Sequence, residues 1–121
     1  MASFKRFEDI EGWQLARELN QRVWELISTG RFGKDFALCD QLNRSAGSTM
    51  DNVSEGFDGG SDAEFVRFLR YSQRSTCEVQ SQLYRALDRS HITANEFDEL
   101  HALAGHVSSK VGALIRYLSK S

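Results

Sequence analysis

Arg67, Arg70 and Arg74 stand at i, i+3 and i+7, Tyr71 lies among them, and no Asp or Glu occurs between Phe65 and Cys77. On a helix, that spacing keeps the three guanidinium groups to one outward side. Arginine grips phosphate through a bidentate fork, and aromatic rings stack on unpaired bases. The chemistry on offer is therefore phosphate and base contact rather than bond making. Arg85 and Arg89 continue the same side, with Glu78 interrupting it, and Lys5 with Arg6 forms a second basic pair nearer the N-terminus. The commoner fate of such a charge run is a solvated face laced with salt bridges.

A second row is polar and uncharged for most of its length. Gln41, Ser45, Ser48, Asn52 and Glu55 follow one another at steps of four, three, four and three. This is a heptad stripe beside the apolar stripe of the same segment. Asn and Ser compete with the backbone for hydrogen bonds inside a helix, so the row costs helix propensity. One reading is a polar seam at a helix–helix or subunit contact, where small residues admit close approach and Asn52 or Glu55 sets register. The other is a row turned toward a ligand or RNA. We assign it to architecture, because polar seam residues are well attested as register devices.

Other chemistry finds less support. Metal-binding bundles place Glu-x-x-His pairs inward. None of His91, His101 and His106 has a glutamate three residues before it, and His101 and His106 are five apart, on different sides of a helix. No metal and no cofactor is expected. Cys39 falls on an apolar stripe, and Cys77 has Glu78 beside it, which disfavours a thiolate. The stretch "GFDGG" has neither the lysine nor the strand of a phosphate-binding loop. No enzyme is expected.

The elements that must position these rows are helices. The 121 residues suit one domain, 1–121, and contain no proline. Apolar residues at helical spacing predict helices over about 9–28, 34–56, 61–90 and 93–118. In the first, Leu15, Ala16, Leu19, Val23, Leu26 and Ile27 make the stripe. Trp13 and Trp24 flank it eleven residues apart, so the apolar arc is wider than one partner needs, and both are candidates for an oligomer interface. Gly56 is placed to stop the second helix, with Gly59-Gly60 as the turn. Ser61 with Glu64 and Thr93 with Glu96 read as capping boxes. Short connections between such helices give an all-α, antiparallel, up-down-up-down four-helix bundle. The charge of −2, from 15 basic and 17 acidic residues, rules out a strongly basic nucleic-acid coat but not a local basic patch. Eleven of the cations are arginine. No apolar run is long enough for a signal peptide or a bilayer span, so a cytosolic protein without a membrane partner is expected.

Three segments resemble a known family. These are "FEDIEGWQLAREL" from Phe7 to Leu19, "QLNRSAGSTMDNVSEG" from Gln41 to Gly56, and "SDAEFVRFL" with "STCEVQSQL" in the third helix. They are similar to the bacterial four-helix-bundle proteins encoded in 23S ribosomal-RNA intervening sequences. The second segment carries that family's pattern at Gln41, Arg44, Ser48, Asn52, Val53, Glu55 and Gly56. The third helix matches it at Glu64, Phe65, Leu69, Ser75, Glu78 and Leu83. The resemblance implies a ring-shaped homopentamer, members tied to RNA by genomic context, and no enzymatic activity. It also implies kinship with accessory proteins of diversity-generating retroelements, which work with a reverse transcriptase and nucleic acid. The chain departs from the pattern at Thr49-Met50, where the family has Ile after the serine. Its net acidity departs from the basic accessory branch. The expected function is binding or stabilising structured RNA through Arg67, Arg70, Arg74, Lys5 and Arg6. The alternative is a scaffold that docks a basic protein partner.

Overall fold

The computed structural model describes residues 4–120. Four helices follow a short 3-10 turn at Phe7–Asp9: α1 (Glu11–Ile27), α2 (Phe36–Asp58), α3 (Asp62–Asp88) and α4 (Ala94–Ser119). The last three begin at capping side chains, whereas α1 starts after Ile10 without one. Asp35 caps α2 by accepting from Leu38 N, and Ser61 caps α3 by accepting from Glu64 N. Thr93 and Glu96 form the full capping box of α4. The box predicted at Ser61 is half made, because the Glu64 carboxylate pairs with Arg67 instead.

The helices run antiparallel, as the cross-links show. Gln41, Ser45 and Thr49 of α2 meet Arg85, Gln82 and Ser72 of α3, one number rising as the other falls. Gln73 and Gln80 of α3 meet Ser108 and His101 of α4 in the same sense. α1 closes the ring against α2 and α4. Leu19, Leu38, Leu42, Leu69 and Leu83 are among the largest fully buried side chains of the shared core. Each such leucine contributes about 1.5–3 kcal/mol relative to an exposed one.

Two expectations are corrected. Gly56 does not end α2, which continues to Asp58 with Gly59 as its C-terminal cap. Gly56 is instead a point of close approach: a Cβ there would lie 2.8 Å from Phe68 Cβ and 3.2 Å from the Phe65 carbonyl oxygen. The turn falls on Gly60, whose φ of +89° side-chain-bearing residues adopt only with strain. Trp13, expected at an oligomer contact, lies inside the chain's own core at 9% exposure. The 3-10 turn folds Phe7 over it edge-on, with ring centroids 5.1 Å apart. Trp24, nearly in line with it on the helix, has no such cover and is 57% exposed.

Candidate nucleic-acid interface

The outward side of α3 carries a ladder of alternating cation and ring. The Arg67 guanidinium sits 4.8 Å from the Phe68 ring centroid and 5.7 Å from that of Tyr71. Arg74 approaches Tyr71 from the other end, 5.6 Å from its centroid. Phe68 and Tyr71 meet edge to face at 5.8 Å. Such contacts hold guanidinium groups in place without neutralising them.

The three arginines differ in freedom. Arg67 pairs with Glu64 and donates to the Tyr71 hydroxyl at 3.1 Å; the Glu64 hydrogen bond, then that of Tyr71, raises its already high pKa. Arg70 and Arg74 are exposed and form no ion pair among the described residues. They are the cations of this row left open to an anion.

The other expected cations stand elsewhere. Arg85 donates to Gln41 Oε1 at 2.8 Å, and Arg89 pairs with Asp35 at 2.8 Å. One reaches across to α2 and the other to its N-terminal cap instead of continuing the free row. Asp35 also meets His91 Nε2 at 2.8 Å, and the hydrogen bonds of His91 and then Arg89 hold its carboxyl below the usual range. Lys5 and Arg6 line a cleft with Glu8, Glu55 and Asp58 that contains no residue of α3. Arg6 is paired with Glu8 at 2.8 Å. Two cations among three acids do not make a basic surface.

The polar row of α2 faces α3. Arg85 meets Gln41, Gln82 Nε2 donates to Ser45 Oγ at 2.9 Å, and Ser75 donates to Ser48 Oγ at 2.8 Å. Asn52 Nδ2 donates to the same Ser48 oxygen at 2.9 Å and to the Ser48 carbonyl at 2.8 Å. Ser72 donates to the Thr49 carbonyl at 2.7 Å. Glu55 takes no rung; it is exposed in the cleft with Lys5. The α3 partners Ser72, Ser75 and Gln82 escape a reading that follows apolar periodicity. Their own steps of three and seven, matching the α2 row, were the available signal.

Among the described residues, no group of three or more His, Cys, Asp or Glu is placed to hold a metal ion. Among the described residues, no helix is long and apolar enough to cross a membrane. Cys39 and Cys77 are free thiols; burial, and secondly Asp35, pushes the Cys39 thiol up.

With four antiparallel helices around one core, the chain is a four-helix-bundle protein. It belongs to the 23S rRNA-intervening sequence protein family, whose pattern matches residues 8–113. A crystal structure from Bacteroides thetaiotaomicron, described as a protein with unknown function from the S23 ribosomal protein family, shares the fold. The TM-score is 0.80 over 87% of this chain and 98% of that one, at 18% identity. No curated protein matches the chain.

Proposed function

We propose that this protein is a non-enzymatic cytoplasmic helical bundle that binds structured RNA as a ring-shaped homopentamer. The observation that carries the RNA reading is the α3 face, where Arg70 and Arg74 stand exposed, Arg74 against the Tyr71 ring, with no acid from Phe65 to Cys77. Phosphates would meet the guanidinium groups while the rings accept unpaired bases. Arg67 would contribute by exchanging Glu64 for a phosphate. Lys5 and Arg6, held among acids, would contribute little. Exposed Trp24 and Phe36 supply apolar surface for an oligomer contact.

The test is binding of folded cellular RNA over a salt series. Each phosphate contact contributes a slope of about 0.7–0.9 in log affinity against log salt. The expected result is a steep decline that Arg70→Glu with Arg74→Glu abolishes without changing the melting temperature. Absence of binding at low salt overturns the reading. The net charge of −2 favours a second reading, an accessory scaffold that docks a basic protein such as a reverse transcriptase. Under it, the double variant retains its partner.

A further inference from the structure

The acidic chain is not acidic everywhere. Residues 65–77 hold Arg67, Arg70 and Arg74 and no acid, and residues 100–121 hold Lys110, Arg116 and Lys120 and no acid. Of 15 cations, six lie in these two segments, and the other nine share the rest of the chain with all 17 acids. The segments are far apart in sequence, but the antiparallel packing of α3 on α4 lays one beside the other. The Gln73 Nε2 bond to the Ser108 carbonyl, at 3.2 Å, marks where they meet.

A groove opens between the two helices along this shared stretch. Arg70 and Gln73 of α3 line it with Gly112, Ile115, Arg116 and Ser119 of α4, around a volume of about 330 Å³. No acid lines it. Arg70 and Arg116 are exposed on its two sides, and neither forms an ion pair among the described residues. Lys110, by contrast, is spent on Glu11 of α1 at 3.1 Å. The floor is kept open by Gly112: a Cβ there would come 3.0 Å from Gln73 Nε2 and 3.6 Å from an Arg116 terminal nitrogen.

Two uncompensated guanidinium groups from different helices, facing a groove with hydrogen-bond donors and no carboxylate, suit a phosphate oxygen. We infer that the groove between α3 and α4 is a phosphodiester cradle, with Arg70 and Arg116 as its two jaws over Gly112, and that it seats the backbone of the bound RNA. The inference rests on the RNA reading for the source of the phosphate and adds Arg116, from a second helix, to the contact surface. It also explains how a chain of net negative charge presents a local attraction to a polyanion, since no acid lines this groove.

The test separates the cradle from the RNA reading. Salt slopes of RNA binding are measured for the native chain, Arg116→Gln, Arg70→Gln with Arg116→Gln, and Arg44→Gln as a control outside both segments. The single variant should flatten the slope by about one contact's worth, 0.7–0.9, and the double variant by about twice that, while the control changes nothing. RNA binding with an unaltered slope in both groove variants overturns the cradle and leaves the RNA reading standing. A second arm titrates inorganic pyrophosphate and follows the amide resonances of Gly112 and the Gln73 side chain. Shifts there that vanish in Arg116→Gln support an anion cradle even if no RNA binds. Absence of shifts, or shifts that persist in that variant, overturns it.

Discussion

Gln82 on α3 donates its side-chain amide to Ser45 Oγ on α2 at 2.9 Å, while its own buried Oε1 has no hydrogen-bond partner among the described residues. The rung is thus satisfied on one side only. A hydrogen bond adds about 1 kcal/mol net, whereas a buried polar atom left alone costs about 1–3 kcal/mol. This rung therefore holds α2 and α3 in alignment more than it stabilises them.

The asymmetry makes single and double substitutions behave differently. Ser45→Ala alone strands the amide donor as well and should lower the unfolding free energy by about 1–3 kcal/mol. Ser45→Ala with Gln82→Leu removes donor, acceptor and orphan together and should return stability to within about 1 kcal/mol of the native chain. Urea unfolding of the three proteins measures both. A double variant as weak as the single one would mean that the rung stabilises in its own right.

The close approach at Gly56 should be intolerant of a methyl group. Its nearest neighbours include backbone as well as side chain, so Gly56→Ala must shift α2 against α3. Overpacking of this kind costs about 1–3 kcal/mol, more than the gain of up to about 1 kcal/mol that Ala brings inside a helix. The expected result is a lower denaturation midpoint at unchanged slope. A rise in midpoint would show that the helices yield without cost.

Glu96 ties α4 to the loop after α1. Both its oxygens accept from Arg31, at 2.9 and 2.6 Å, and one accepts from the Thr93 backbone. The Arg31 bonds first, and the Thr93 N–H second, hold its carboxyl at about 2 against an ordinary value of 4.5. A folded pKa below the unfolded one stabilises at neutral pH, and the contribution is lost as pH falls from about 4.5 through about 2. The pair is about one-third exposed, so screening reduces the effect to about 1 kcal/mol. Glu96→Gln should cost that amount at pH 7 and only a small fraction of it at pH 2, where the folded carboxyl is half protonated. Equal losses at both pH values would assign the effect to the cap rather than to charge.

The helices were legible because helical periodicity is local and each apolar stripe had a core to face. Thr93 with Glu96 was legible for the same reason, since both halves of the box lie within one turn. What was misread depended on distant chain. Gly56 has the composition of a helix stop, and only the position of Phe65 and Phe68 makes it a contact. Trp13 has the same helical phase as Trp24, and only the turn bearing Phe7 buries it. Arg85 and Arg89 look free until Gln41 and Asp35 arrive from α2 and its N-terminal cap. Net charge hides Arg116 for the same reason: only the packing of α4 on α3 sets it across a groove from Arg70.

The hairpin of α3 and α4 thus brings two acid-free segments together at one groove, although acids flank them on both helices. Net charge does not describe the local field at such a groove. The groove offers an anion two open guanidinium groups and no carboxylate in its lining. Under such an arrangement orientation matters more than total charge: within a Debye length it is the local patch, and not the sum over the chain, that an arriving ion meets.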